Sequence, residues 1–398
     1  MTRAAIVAPL RTPIGRFLGS LTPLTAQDLA AHVIGAVVEK TEIDPVKIDD
    51  VVFAQSYASS EAPCIGRWAA LAAGLPVSVP GLQIDRRCGG GLQAIATAAM
   101  MVETGAADVV IAGGVESMSN IEYYTTAMRG GARVGPVTLY DRIDRGRERS
   151  QPQERFGVIS GMIETAENLA ADYAITREQA DSLAVDSHQR AAAAWLAGKF
   201  DAEVVSVPVP QRKGDDLIFE KDEGIRADTT LERLAKLRPL IPGGTVTAGN
   251  SSQQNDAASA CLVVAEHKLA ELNLTPIAFF GGWTAVGCEP SHMGIGPVPA
   301  IKKLFKQRGL DWEDIDLVEI NEAFAAQVLA VLKGLDFNDH SRINVNGSGI
   351  SLGHPIAATG VRIMTSMLHE LERRNGRRAL ETMCIGGGQG IAAIFERD

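Results

Sequence analysis

Two cysteines, one histidine and one asparagine stand in four separate segments of this chain. The segments are Asp85-Arg86-Arg87-Cys88-Gly89-Gly90-Gly91, Asn321-Glu322-Ala323-Phe324-Ala325, Gly349-Ile350-Ser351-Leu352-Gly353-His354-Pro355 and Cys384-Ile385-Gly386-Gly387-Gly388-Gln389-Gly390. A thiol nucleophile, an imidazole base, a second thiol and a polar amide suit one chemistry: making or breaking a carbon–carbon bond next to a thioester. Cys88 follows a strand and precedes glycines and a helix, where the backbone comes close to a ligand and helix N–H groups are unpaired. The helix dipole favours a thiolate there, and a thiolate is the competent nucleophile toward a thioester carbonyl. The plain alternative is a small buried residue in tight strand–helix packing.

His354 is set among residues with little competing bulk, which suits a base approaching a substrate. The other six histidines lie in ordinary helical or polar contexts. A metal role needs further ligands at fixed spacing, and none is nearby. Cys384 reads as the counterpart of Cys88: strand, cysteine, glycines. A dinucleotide loop is disfavoured there, because Ile391 to Asp398 leave no room for the helix such a loop opens. Asn321 can orient a water or donate to a developing oxyanion. It can equally cap a following helix, Ala323 to Leu332, and the local sequence favours the cap.

These side chains need a scaffold, and the chain repeats itself. Val46 to Phe53 resembles Glu313 to Ile320, Gln83-Ile84-Asp85 resembles Arg342-Ile343-Asn344, and Asp108 to Gly114 resembles Glu381 to Gly387. The pairs keep their order and lie roughly 260–275 residues apart, which argues for a duplicated unit. Short β-branched runs alternate with helical stretches, the mark of βαβ units in a mixed or parallel sheet. The stretch from Leu92 to Thr104 is apolar on nearly every side, which predicts a buried helix. Between the halves lies a different region, residues 120–245. It carries the Arg-rich run 141–149, a helical stretch from Thr165 to Ala174, and a helix from Thr176 to Ala197 with a capping box at Thr176.

The 398 residues are 46% hydrophobic, enough for a large core. The net charge of -10 leaves no basic footprint for nucleic acid. Five cysteines without a C-x-x-C argue against disulfides or zinc and fit a reducing compartment. Met1 to Leu10 reads as a strand rather than a signal peptide, and no uninterrupted apolar run is long enough for a membrane span. The expectation is a cytoplasmic enzyme without a membrane partner.

The four segments together resemble the thiolase superfamily, in order and spacing across essentially the whole chain. Gly113-Gly114-Val115-Glu116-Ser117-Met118-Ser119 and Thr245-Val246-Thr247-Ala248-Gly249-Asn250 extend the resemblance. It implies two βαβαβαββ halves in a five-layer αβαβα fold: residues 1–119 with 246–270, an inserted loop domain 120–245, and residues 271–398. It implies a thiolase, an acetyl-CoA C-acyltransferase acting on 3-ketoacyl-CoA, or a short-chain acetyl-CoA C-acetyltransferase making acetoacetyl-CoA. Coenzyme A and acyl-CoA are then substrates, no cofactor is bound tightly, and the assembly is a homodimer or homotetramer.

By that resemblance Cys88 carries the acyl group, His354 activates it, and Cys384 moves a proton at the α-carbon. Asn321 holds a water, and the N–H groups of Cys88 and Gly386 face an oxyanion. Ser252, Met162 and Arg226 contact CoA along the inserted domain. The run 141–149 reads as a solvated or assembly face, with phosphate attraction as the alternative. The sequence departs from the family at Gly89-Gly90-Gly91, where a serine is usual, at Ser251 to Asp256, and at Ser160-Gly161, where Gly161 replaces a histidine of short-chain members. A ketoacyl synthase-type enzyme uses histidine where Cys384 stands. A silent lipid-binding or scaffold subunit has no need of all four residues.

Overall fold

Why Cys88 and His354 meet is decided by two helices that cross in the middle of the molecule. The computed structural model describes residues 2–159 and 161–398; Met1 and Ser160 fall outside them. The main sheet is built from β1 (Ala4–Arg11), β2 (Asp50–Ala54), β3 (Leu82–Ile84), β4 (Val109–Ser117), β5 (Asn255–Ala265), β6 (Ala278–Gly287), β7 (Leu317–Ile320), β8 (Arg378–Ile385) and β9 (Gln389–Glu396). Their order is β7-β8-β9-β6-β1-β5-β4-β2-β3.

The first half runs β3-β2-β4-β5-β1, parallel between β3, β2 and β4 and antiparallel thereafter. The second half repeats this: β7 and β8 are parallel, β8, β9 and β6 antiparallel. Its counterpart of β3 is reduced to a parallel bridge between Ile343 and Val318. Within the sheet, the halves join where Ala5 and Ile6 of β1 face Phe279 and Ala278 of β6.

Alternate residues of each strand face two different cores, as a period of two requires. Val52 and Ala54 point inward with Val110 and Ala112, toward α2 (Gly90–Glu103). Val51 and Phe53 point outward, against α1 (Ala26–Thr41). Strand residues of the second half, among them Met383, Ile385 and Ile391, face the same inner core, which also holds Val361, Met364 and Leu368 of a C-terminal helix, Thr359–Arg373. Outside that half, Leu380 and Ile394 pack against the helix Pro297–Arg308. The result is helix, sheet, helix pair, sheet, helix: the five expected layers.

Between β4 and β5 come α3 (Arg142–Glu148), α4 (Met162–Asp172) and α5 (Arg177–Leu196). Thr176 caps α5 through a reciprocal box with Gln179, as the sequence predicts. Ala325–Leu335 forms α6 and Thr359–Arg373 forms α7.

In the central layer α2 and α7 touch backbone to backbone. A Cβ at Gly360 would lie 2.1 Å from the Leu92 nitrogen, and one at Gly91 would lie 2.8 Å from the Ala357 carbonyl oxygen. No side chain fits there, so the N-terminal ends of both helices come together. Cys88 immediately precedes α2 and His354 shortly precedes α7.

This arrangement corrects the reading of Cys384 as the counterpart of Cys88. Asp50 faces Val110 and Leu317 faces Ala379, so the matching strands are β4 and β8. Cys384 near the end of β8 therefore corresponds to Val115 in β4. The counterpart of the Cys88 turn is the loop before α7, which carries His354. Glycines after a cysteine are not enough to assign a topological position; the pairing of the strands is.

Candidate active site

A cavity of about 480 Å³ opens between the ends of the central helices, β8 and the region between β4 and β5. Cys88, His354, Cys384 and Gly386 line it, with Met162, Arg226 and Ser252. Seven of the eight residues singled out from the sequence thus meet in one wall. The eighth, Asn321, is fully buried directly behind His354.

Cys88 sits in a short 3-10 turn before α2, half-buried. Arg87 holds a left-handed backbone with φ 46°, and Asp85 Oδ1 accepts its N–H at 2.6 Å. This tight turn brings the sulfur to the cavity. Burial pushes the Cys88 thiol up, while the N–H of Gly386, the Arg87 charge and the N–H of Cys88 itself pull it down. Burial wins, so the resting group is a thiol. The expectation of a dipole-stabilised thiolate is corrected: the helix end contributes N–H groups, but desolvation outweighs them.

His354 is 7% exposed. Its backbone N–H donates to Asn255 Oδ1 at 2.9 Å, and the carbonyl of Gly353 accepts from Arg362 Nη2 at 3.1 Å. Gly353 has φ 110°, and a Cβ there would lie 2.6 Å from Asn255 Oδ1. Nδ1 lies 2.6 Å from Thr359 Oγ1. Burial and the charges of Arg362 and Arg147 lower the imidazole to about 3, so it is neutral and free to accept a proton.

Cys384 is fully buried, packed with Met162, Val246, Met293, Ala323 and Phe324. Burial, with smaller contributions from Cys88 and Cys288, raises it well above an ordinary thiol. It is a weak acid able to hold its proton until a strong base forms beside it. Gly386 follows it on the same wall; a Cβ there would lie 3.4 Å from Met162 Sδ, which is ordinary contact.

Asn321 does not cap a helix. α6 begins at Ala325 with Phe324 at its N-cap and no side-chain cap. The amide instead points its Nδ2 at the His354 ring, 3.4 Å from Nε2, and its buried Oδ1 has no partner among the described residues. The following Glu322 turns away to accept from Ser187 Oγ and Asn344 Nδ2.

Three residues at or behind the site were given no individual role from the sequence, and of these Arg147 lines the cavity. Glu116, fully buried and raised to about 7 chiefly by desolvation, accepts from the N–H groups of Ser56, Tyr57 and Ala357, tying the wall to the turn before α7. Thr359 is a helix-start threonine like many others. Arg147 reaches the cavity from α3, although the run around it reads as a surface face. Ser160, one of the departures, lies outside the described residues; Gly161 lines the cavity, with nothing within 4 Å of where its Cβ would stand. No group of three or more His, Cys, Asp or Glu able to hold a metal occurs among the described residues.

Comparison with known proteins follows the same lines. The chain matches the thiolase N-terminal domain over residues 4–267 and the thiolase C-terminal domain over residues 274–397. It is 46% identical over 395 residues to an acetyl-CoA acetyltransferase of Chromobacterium violaceum, covering 99% of both chains. It is 44% identical over 403 residues to a beta-ketoadipyl-CoA thiolase of Acinetobacter baylyi, covering 100% of both. Human mitochondrial 3-ketoacyl-CoA thiolase in complex with CoA superposes with a TM-score of 0.93 at 40% identity, covering 100% of this chain and 98% of that one. Two sulfurs and an imidazole on one cavity, in a duplicated fold matched from end to end, leave one conclusion: the chain belongs to the thiolase family of acyltransferases.

Proposed function

We propose that the chain cleaves 3-ketoacyl-CoA with free CoA, giving acetyl-CoA and a shortened acyl-CoA, or runs the reverse Claisen condensation. The observation that carries this reading is that Cys88, His354 and Cys384 line a single cavity. In the cleavage direction His354 takes the Cys88 proton as the sulfur attacks the 3-keto carbon. The carbon–carbon bond breaks, its electron pair leaves on acetyl-CoA as the enolate, and Cys384 gives that carbon a proton. The Cys384 thiolate then takes the proton of the CoA thiol as that sulfur attacks the Cys88 thioester, and His354 returns its proton to the departing Cys88 sulfur.

Charge develops on two oxygens in this sequence. The N–H groups of Gly386 and Cys88 face the sulfur of Cys88 and suit the tetrahedral oxyanion. Asn321 Oδ1, buried and unpaired, suits a water that with His354 Nε2 stabilises the enolate oxygen. CoA enters past Met162, Ser252 and Arg226, along residues 120–245, which act as an inserted domain between halves 1–119 with 246–270 and 271–398. The open space at Gly161 favours an acyl chain longer than that of acetoacetyl-CoA, the substrate of the short-chain alternative. The working form is a cytoplasmic homodimer or homotetramer; no helix among the described residues is long and apolar enough to cross a membrane.

Initial rates of CoA-dependent thiolysis over a series from acetoacetyl-CoA to long-chain 3-ketoacyl-CoA test the reading. Release of acetyl-CoA is expected, with ping-pong kinetics. No turnover at any length rejects it.

A further inference from the structure

One cation in the cavity has no part in the chemistry above. Arg147 lies on α3 and lines the cavity with Cys88, His354, Tyr57 and Ile356. It is half-buried, and among the described residues its guanidinium makes no hydrogen bond and no ion pair. Its helix neighbours are committed elsewhere: Arg142 to Glu122 at 3.0 Å, and Arg145 over the Tyr140 ring at 3.6 Å. Arg87, also in the lining, donates to the Gly146 carbonyl at 3.3 Å. Asp144 also lines the wall but is exposed and pairs with no cation among the described residues. Arg147 shares the cavity lining with Cys88, His354 and Tyr57, the reacting end, and its charge acts on both His354 and Tyr57.

A partly desolvated guanidinium without a partner is costly, and a planar carboxylate is its best match. A 3-ketoacyl-CoA brings two kinds of anion. Its phosphates are separated from the thioester by the whole pantetheine arm, which Ser252 meets, and lie toward Arg226 at the adenine end. The other is a carboxylate at the far end of the acyl chain. The same cavity is lined by Tyr57, Met118 and Ile356, which pack with Ile143 as one apolar cluster and suit the methylenes of an acyl chain.

We propose that Arg147 receives a terminal carboxylate on the acyl chain, so that the preferred substrates are 3-ketoacyl-CoA thioesters of dicarboxylic acids. This rests on the reading of Cys88 as acyl carrier, which fixes the reacting end. The test compares 3-ketoadipyl-CoA with 3-ketohexanoyl-CoA, which differ only in a carboxylate against a methyl group. The readout is the ratio of their kcat/KM values in CoA-dependent thiolysis by the full-length chain.

Wild type is expected to favour the carboxylate substrate. Arg147→Gln should lower the ratio by about tenfold or more, and Arg147→Lys should recover part of it. A ratio unchanged by Arg147→Gln overturns the proposal and leaves the thiolase reading standing. That outcome includes equal loss on both substrates with dissociation of the oligomer, which would make Arg147 an assembly contact. If wild type cleaves neither compound nor any other 3-ketoacyl-CoA, both readings fall.

Discussion

His354 Nδ1 lies 2.6 Å from Thr359 Oγ1, and the same hydroxyl donates to the Pro355 carbonyl at 3.1 Å. A hydroxyl has one proton to give. With that proton on the carbonyl, Nδ1 must carry the ring hydrogen and donate to Thr359, leaving the lone pair on Nε2. Thr359 therefore sets the tautomer in which His354 acts as a base on the cavity side, and it does so from the first turn of α7.

Removing that partner frees the ring to take the other tautomer or rotate. Thr359→Ala should lower kcat about tenfold, with a smaller change in KM, because a group orienting a catalytic base acts on the chemical step. Thr359→Ser should retain most of the activity. Steady-state kinetics on both variants checks this; equal activity of the alanine and serine variants would show that the hydroxyl has no orienting role.

Cys88 rests as a thiol because burial outweighs the N–H groups facing it. Alkylation of the free enzyme by iodoacetamide should therefore keep accelerating as pH rises past neutrality, with no plateau before the ordinary thiol value of 9.0. A plateau near neutral pH would mean that a resident thiolate, paired with a charged His354, exists before substrate arrives.

Acid should destabilise the fold through its buried imidazoles. His354 and His188 are lowered to about 3 and about 4, chiefly by burial, from an ordinary 6.5. Between those values the unfolded chain takes up protons and the folded chain does not. Stability is full above 6.5 and is lost as pH falls through the window. Glu116, raised to about 7, acts in the opposite sense: its contribution is present below an ordinary 4.5 and is lost as pH rises through 7. His188 Nδ1 accepts the Arg226 N–H at 3.2 Å, a bond that an asparagine oxygen can keep. His188→Asn should therefore lose about 2 kcal/mol less than wild type between pH 7 and pH 5. Denaturant unfolding at the two pH values measures it, and parallel losses in both proteins would contradict the assignment.

The chain between β4 and β5 is tied to the core by a fully buried charge cluster. Arg11, 0% exposed, donates to Glu203 Oε1 at 2.7 Å and to both oxygens of Asp222, at 2.8 and 3.1 Å. Trp195 Nε1 and the Ile14 N–H also donate to Asp222. Arg11→Ala leaves two buried carboxylates without their cation and should cost about 3–5 kcal/mol. Exchange of Arg11 with Met in an Asp222→Asn background should cost less. Chemical denaturation of both variants decides it.

The sequence reading was strongest where a residue type is scarce and its neighbours are unusual. Cys88, His354 and Cys384 each stand beside glycines whose backbone the fold uses, so the chemistry could be recognised before the geometry. The capping box at Thr176 is local and was legible for that reason. For Asn321 the local sequence favours a helix cap while the family resemblance gives it a water-holding role; the structure shows no cap, and its contact with the His354 ring crosses 33 positions in the chain. The role of Cys384 as counterpart of Cys88 failed because strand order, not flanking glycine, sets equivalence. Arg147 could not be distinguished from Arg142, Arg145 and Arg149 in a run of like charges; only the direction of one short helix sends it into the cavity. The charge state of Cys88 depends on how much water the surrounding walls exclude, and no window of sequence contains that.

The most direct measurement is the mass of the intact protein after mixing with a 3-ketoacyl-CoA without free CoA. Wild type should gain the shortened acyl group on the peptide bearing Cys88, and Cys88→Ala should gain nothing. An acyl group on any other residue, or none on wild type under conditions where acetyl-CoA is released, would contradict the assignment of that sulfur as the acyl carrier.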